Sequence, residues 1–250
     1  HTPATPVVTA LADTVAPGTL SDGAAERTVV LVGDSVPSRL MPVLAPAAEE
    51  RSVTVVSAVA GGCSPLAVHQ RVSATDEAGE TCPQVEQTQR ETIQAHDPDA
   101  VLWWSRYEIA DRLDADGGLL EPTDPQFWPA QRERFMEAVD RLTGDGATLY
   151  VVETERPGVG MLSRCTEEDC HPFLERMVTQ DHLRREWNDL VRDVAQADER
   201  VRVIKVDEIF CPDPEPDPDP TRFGSGLCDD RDGAGRIARP DGSHFDVELV

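Results

Sequence analysis

The chain has 250 residues and a formal net charge of −24 at pH 7, because 47 acidic residues oppose only 23 lysines and arginines. This charge argues against a nucleic-acid partner, since binding to a phosphate backbone needs clustered basic side chains. The length suits one large domain or two small ones with a buried core. No run reaches the roughly 18 apolar residues that span a bilayer.

The first 26 residues are rich in Ala, Thr and Pro and show no clean periodicity. We interpret residues 1–26 as a linker or N-terminal arm and residues 27–250 as one domain. The chain starts at His1 without a methionine or a signal-peptide pattern, so we expect a processed product or an excised part of a longer protein.

The first predicted element is a buried strand at "TVVLV" (28–32). Its apolar run is continuous rather than alternating, as in a strand that is covered on both faces of a parallel sheet. The run stops at Gly33-Asp34-Ser35. Ligands gather at the carboxyl ends of such strands, so Ser35 lies where chemistry is expected. The alternative is a simple turn in which Asp34 or Ser35 caps the next helix.

Strand and helix patterns then alternate along the chain. The predicted elements are a helix at 36–51, strands at 52–62 and 99–107, a helix at 127–143, a strand at 147–154, a helix at 172–196 and a strand at 200–210. This alternation predicts an α/β domain, with a parallel sheet and helices on both faces. The segments 111–125 and 156–170 are predicted to be loops that border a cleft. The acidic, proline-rich run 211–220 is predicted to be a solvated loop, with a calcium site as the weaker alternative because alternate prolines restrict folding around an ion.

Near the end of the chain, "RPDGSHF" (239–245) offers a partner for the serine. A serine hydroxyl needs a base to remove its proton, and the usual base is a histidine that a carboxylate orients. Asp241 and His244 are three residues apart, so on a tight turn the carboxylate can hold one ring nitrogen while the other faces Ser35.

The six cysteines form three pairs that are local in sequence. We expect the disulfides Cys63–Cys82, Cys165–Cys170 and Cys211–Cys228, which indicate a protein outside the cytoplasm. Zinc is the alternative, because His171 directly follows Cys170, but no pair has the C-x2-C spacing. We therefore expect neither a metal nor a cofactor.

These motifs resemble the blocks of the SGNH (GDSL-like) hydrolases, and most closely the SGNH domains attached to membrane acyltransferases of the acyltransferase-3 type. "VLVGDSV" is similar to the first block and "DGSH" to the last, over a similarity that spans most of residues 28–245. The resemblance implies a flavodoxin-like, three-layer αβα sandwich with a central, mostly parallel five-stranded sheet. It also implies that Ser35, Asp241 and His244 form a catalytic triad.

The same resemblance predicts an oxyanion hole. "AGGCSPL" (60–66) resembles the second block, which implies that the Gly62 amide acts together with the amide of Ser35. The third block of free-standing members carries an asparagine donor, but this chain has "VLWWSRYE" there, as the acyltransferase-linked members tend to. Ser105 or Arg106 is the candidate replacement, or two backbone amides suffice.

Three side chains in this block have alternative interpretations. Trp103 and Trp104 are expected to pack on opposite faces of the sheet. Arg106 follows the strand end and is a candidate substrate-binding residue, but pairing with Glu108 or Asp111 is an equal alternative.

The function that the resemblance implies is O-acyl transfer to a cell-envelope polysaccharide outside the cytoplasm. The expected partners are an acyl donor, a glycan acceptor and a membrane acyltransferase domain that tethers the chain. The alternatives are a secreted carbohydrate esterase and a catalytically weak glycan-binding module. The family usually continues into a final helix after the histidine, so we expect some C-terminal sequence to be absent.

Overall fold

A computed structural model describes residues 26–71, 82, 84–114, 116–144, 146–211 and 222–248. The predicted N-terminal arm, apart from Glu26, and nearly all of the predicted proline-rich loop lie outside the described residues. No helix in the described ranges is long and apolar enough to cross a membrane.

The central sheet contains five strands that all run parallel. They are β1 (Arg27–Gly33), β2 (Val53–Ser57), β4 (Ala100–Trp104), β7 (Thr148–Val152) and β8 (Val201–Ile204), in the spatial order β2-β1-β4-β7-β8. This is the flavodoxin-like order, in which strands are added to one side of β1 first and then to the other, so that the order reverses between β1 and β4. The predicted α/β class, with a five-stranded parallel sheet, is confirmed.

Six helices accompany the strands within the described residues. They are α1 (Ser35–Glu49), α2 (Val85–His96), α3 (Phe127–Thr143), α4 (Pro172–Thr179), α5 (Asp181–Ala197) and the short α6 (Asp207–Phe210). One buried cluster joins the sheet to α2, α3, α4 and α5, and a second joins the opposite face to α1. The molecule therefore has the three layers that were expected.

The two tryptophans of β4 show how the strand serves both faces. Trp103 belongs to the first cluster and packs edge-on against Phe135 of α3, while Trp104 belongs to the second cluster and contacts Phe245. Adjacent strand residues point to opposite faces, so the predicted packing role of this pair is confirmed.

A second, antiparallel sheet lies beside the main one. It consists of β3 (Gln70–Arg71), β5 (Asp111–Leu113) and β6 (Leu119–Leu120), in the order β3-β5-β6. The prediction of a plain loop over 111–125 is therefore wrong, because these strands are too short to show an apolar alternation.

Four other predicted bounds need correction. The predicted strand at 52–62 ends at Ser57, and residues 61–62 form a turn. The predicted helix at 172–196 is two helices, because Gln180 leaves the helical conformation between α4 and α5. The predicted strand at 200–210 ends at Ile204, and Asp207–Phe210 is helical. The predicted strand at 99–107 ends at Trp104, and the chain then forms a 3₁₀ turn at Tyr107–Ile109.

Candidate active site

Ser35 is the first residue of α1 and directly follows the turn that leaves β1. Gly33 makes this turn possible, because a Cβ there would lie 1.9 Å from the Trp104 carbonyl oxygen of β4. The serine is thus held at the carboxyl end of the sheet, beside the point where the strand order reverses, which is where open α/β sheets bind ligands.

Asp34 is the capping residue of α1. Its fully buried carboxylate accepts hydrogen bonds from the Val36 amide at 2.7 Å and from the Arg106 amide at 2.9 Å. Burial raises the pKa of Asp34 above its ordinary value. The capping role expected for either Asp34 or Ser35 belongs to Asp34, which leaves the Ser35 hydroxyl available for another partner.

That partner is His244. The Nε2 atom of His244 lies 2.7 Å from the Ser35 Oγ, and the Nδ1 atom lies 2.6 Å from the Asp241 Oδ2. The structure therefore brings together the three residues that the sequence proposed as nucleophile, base and orienter, although 209 positions separate serine and histidine. A hydroxyl, an imidazole and a carboxylate in this order can move a proton away from the hydroxyl.

The turn that carries Asp241 also stabilises its negatively charged carboxylate. The Asp241 Oδ1 accepts the backbone amides of Ser243 at 3.0 Å and His244 at 2.7 Å, and the half-exposed Arg164 lies 3.4 Å from the Oδ2. Partial burial raises the pKa of Asp241, but the hydrogen bonds from His244 and Ser243 outweigh it and hold this pKa well below its usual value. Asp241 is thus a stable anion that can orient the ring.

Gly242 anchors this turn to the rest of the domain. Its φ of +76° suits only glycine well, and a Cβ there would lie 2.4 Å from the Met161 nitrogen. Its carbonyl accepts the Gly158 amide at 2.9 Å and the Arg106 Nη1 at 3.3 Å. The turn that carries His244 is therefore held in place by contacts to Gly158 and Arg106.

Arg106 does not face the cleft. Its side chain is 2% exposed and forms a close ion pair with Glu155, which lies three residues after the end of β7. The alternative pairing with Glu108 or Asp111 is wrong, and the predicted contact with substrate finds no support in this placement. Burial confines the guanidinium between Glu155 and the Gly242 carbonyl.

Glu155 is the centre of a buried charge network that the sequence did not reveal. Burial alone raises the pKa of Glu155, but the guanidinium groups of Arg106 and Arg239 outweigh this and hold that pKa below its usual value. Arg239, also fully buried, bonds the Asp230 carboxylate at 2.7 Å and the Arg156 carbonyl at 2.6 Å. The available signal was position: Ser35, Arg106 and Glu155 all lie just past the ends of neighbouring parallel strands.

Ser105 is buried, and its polar atoms have partners. The Oγ accepts a hydrogen bond from the Tyr107 amide at 3.2 Å, and the Ser105 carbonyl accepts one from the Thr154 hydroxyl at 3.2 Å. Ser105 is 1% exposed, so its hydroxyl lies inside the loop and not on the surface of the cleft.

Gly62 lies in the turn after β2, which the Ala60 amide joins to the Gly33 carbonyl at 2.8 Å. Its φ is +76°, and a Cβ there would meet no atom of the residues that the structure describes within 4 Å. Among the described residues its amide has no acceptor, and the Ser35 amide heads a helix, where amides lack intrahelical acceptors. Within the part of the chain that the structure describes, neither predicted backbone donor therefore has an acceptor.

Three disulfides join Cys63 to Cys82, Cys165 to Cys170 and Cys211 to Cys228. The first adjoins Gly62, and the second adjoins Arg164 at the other side of the Asp241 turn. Since Cys165 and Cys170 are bonded to each other, neither sulfur is a thiolate ligand for zinc, and the described residues hold no group of three metal-binding side chains.

The family model of SGNH domains fused to AT3 domains matches residues 8–226. That range contains Ser35 and Gly62 and ends before Asp241 and His244. A search of curated proteins finds no match.

Several solved structures share the fold at low sequence identity. The periplasmic domain of a lipopolysaccharide acetyltransferase from Salmonella ser. Paratyphi A is 13% identical, with 94% of this chain and 82% of that chain covered at a TM-score of 0.53. A GDSL-like lipase from Bacteroides thetaiotaomicron is 9% identical, with coverages of 97% and 92% and a TM-score of 0.54. An acetyl xylan esterase is 11% identical, with coverages of 89% and 93% and a TM-score of 0.52.

Proposed function

The chain belongs to the family of SGNH domains fused to AT3 domains, and we propose that it transfers a short acyl group, such as acetyl, to a cell-envelope polysaccharide outside the cytoplasm. The family makes it an SGNH-type serine enzyme. The observation that carries the proposal is the chain of contacts from Ser35 through His244 to Asp241, at 2.7 and 2.6 Å.

In the first half of the reaction the Ser35 Oγ attacks the carbonyl carbon of an acyl ester. The His244 Nε2 accepts the hydroxyl proton, and Asp241 stabilises the imidazolium that forms. The amides of Ser35 and Gly62 donate to the oxyanion. When the intermediate collapses, His244 gives its proton to the leaving oxygen, and an acyl-serine remains.

In the second half an acceptor hydroxyl replaces the leaving group. His244 removes the acceptor's proton, the new oxygen attacks the acyl carbon, and Ser35 leaves with the proton restored. A sugar hydroxyl gives a transferase and water gives an esterase, so positioning of the acceptor decides the outcome. Positioning can be worth effective molarities of about 10⁵ M or more.

The family description supports a membrane partner, since its members are joined to AT3 domains. We propose that such a domain supplies the acyl group and tethers the chain at the outer side of the membrane. Three disulfides fit an oxidising compartment. The periplasmic acetyltransferase domain with the same fold is consistent with that location.

The test is to supply a short acyl ester with fragments of cell-envelope glycan and to follow acylated sugar and free acid separately by mass spectrometry. A transferase will hydrolyse the ester slowly and form acylated sugar when the correct glycan is present. Rapid hydrolysis that no glycan diverts would replace the proposal with a carbohydrate esterase. No turnover and no acyl-serine in correctly folded protein would indicate a glycan-binding module.

A further inference from the structure

None of the described residues packs on Gly62 from the side where a Cβ would point. A glycine in open space has many accessible conformations, and holding one of them costs conformational entropy. A backbone donor is useful in catalysis only if its direction is fixed before the charge develops. Some other group must therefore hold this turn.

That group is the side-chain amide of Gln70. Its Nε2 donates to the Gly62 carbonyl at 2.6 Å, and its Oε1 accepts the Ser64 amide at 2.8 Å. Both ends of one planar amide are thus used on the two sides of Cys63. Gln70 is 2% exposed and belongs to β3, where it pairs with Arg112 of β5.

A second contact supports the same turn from Glu108, which lies in the 3₁₀ turn that follows β4. The Ser64 hydroxyl donates to the Glu108 Oε1 at 3.2 Å and accepts the Leu66 amide at 3.2 Å. Glu108 also accepts the indole N–H of Trp103 at 3.1 Å. Several hydrogen bonds therefore hold the turn, and among the described side chains Gln70 is the one whose amide bonds Gly62 itself.

We propose that Gln70 is a positioning residue that directs the Gly62 amide toward the oxyanion. This inference rests on the proposed function, because it assumes that an oxyanion forms at Ser35. On this proposal the small antiparallel sheet carries the Gln70 amide to the turn after β2.

The role predicts a specific kinetic effect. An oxyanion needs the donor more than the ground-state carbonyl does, so loss of direction lowers kcat and leaves KM nearly unchanged. Removing a whole oxyanion donor costs about 10²–10³ in kcat. Misdirecting one donor should cost less, so we expect Gln70→Met to lower kcat by about 10- to 100-fold.

Gln89 supplies a matched control. It is also a buried glutamine, and its Nε2 donates to the Pro65 carbonyl at 3.1 Å, at the far end of the same loop. Its side chain does not bond Gly62. Gln89→Met should therefore lower thermal stability by an amount similar to Gln70→Met while keeping kcat within about twofold of the unmodified protein.

The experiment measures kcat and KM for p-nitrophenyl acetate in the three proteins, with labelling of Ser35 by a phosphonate in the unmodified protein. Absent turnover and labelling in the unmodified protein would remove the proposed function itself. With both present, equal kcat in the two methionine variants would overturn the role of Gln70 alone.

A crystal structure of the unmodified protein with the phosphonate on Ser35 decides the matter even where Gln70→Met does not fold. We expect the phosphoryl oxygen to accept the Gly62 amide while Gln70 keeps both bonds to the turn. A structure in which Gln70 has released the Gly62 carbonyl and the amide still reaches the oxygen would contradict the proposal.

Discussion

Glu108 is a fully buried carboxyl beside the turn that carries Gly62. Its Oε1 accepts the hydrogen bonds from Ser64 and Trp103, and its Oε2 has no hydrogen-bond partner among the described residues. Burial first, and then the negative charge of Asp34, raise the pKa of Glu108 to about 7. The folded protein therefore holds a proton on this group under conditions where the unfolded chain does not.

This raised pKa predicts how stability depends on pH. Between the ordinary value of 4.5 and about 7, the folded state binds more protons than the unfolded state, so the contribution of Glu108 to the free energy of unfolding falls as pH rises. The loss is complete above pH 7 and amounts to at most about 3 kcal/mol.

We therefore expect Glu108→Gln to gain stability relative to the unmodified protein as pH rises from 4 to 8, by about 1–3 kcal/mol. Urea unfolding at several pH values measures the difference. Asp34, whose pKa is also raised, is present in both proteins and cancels to first order. The exposed Glu133→Gln serves as the control, and a Glu108→Gln difference that stays constant with pH would contradict the assignment.

At the scale of the elements, the Arg106–Glu155 ion pair joins the ends of β4 and β7 beneath the His244 turn. Both side chains are almost completely buried. Breaking such a pair from one side leaves an uncompensated charge and costs about 3–5 kcal/mol, whereas removing both partners costs much less.

A double-mutant cycle with Arg106→Met and Glu155→Met tests this arrangement. We expect each single change to lower the free energy of unfolding by about 3–5 kcal/mol and the double change to lower it by clearly less than the sum. The exposed pair Arg134–Glu137 of α3 is the control, with an expected coupling below about 1 kcal/mol. Additive effects at the buried pair would show that it does not act as a unit.

The sequence predicted the central strands because their apolar runs are long and continuous, as in β1. It missed α2, where only Val85, Gln89 and Ile93 are buried in a polar helix. The break at Gln180 was also missed, because α4 and α5 are both amphipathic and the pattern continues across it.

Some residues of the candidate site could be predicted from the sequence, and others could not. Ser35, Asp241 and His244 were accessible because each lies in a short motif with a known chemical role. The support by Glu155 and Arg239 was not accessible, because Glu155 pairs with a residue 49 positions away and Arg239 bonds a carbonyl 83 positions away. Gln70 is only 8 positions from Gly62, but the two-residue strand that places it is too short to show a pattern. Arg106 was placed at the correct strand end, but its partner comes from another strand.

At the scale of the whole molecule, the strand order brings the carboxyl ends of β1, β4 and β7 together at one edge of the sheet. The C-terminal segment then adds the turn that carries Asp241 and His244. The three disulfides join positions 19, 5 and 17 residues apart. All six cysteines lie outside the regular strands and helices. The disulfides therefore restrain the loops and not the sheet.

Replacing each cysteine pair by serines should rank the three bonds. Loop-closure entropy makes the loss smallest for Cys165–Cys170, by about 1 kcal/mol relative to the two longer loops. Urea unfolding of the three double variants measures the order. A Cys165–Cys170 variant that is the least stable of the three would show that this bond acts through folded-state contacts and not through the loop length.

The central claim is that Ser35 is a nucleophile activated by His244, and labelling with a phosphonate tests it most directly. We expect mass spectrometry to find the adduct on Ser35 in the unmodified protein and in Ser38→Ala, a control at the exposed serine of the same helix. Ser35→Ala should show no adduct and lose ester turnover. Full turnover in Ser35→Ala, or labelling that persists elsewhere with the same rate, would contradict the account.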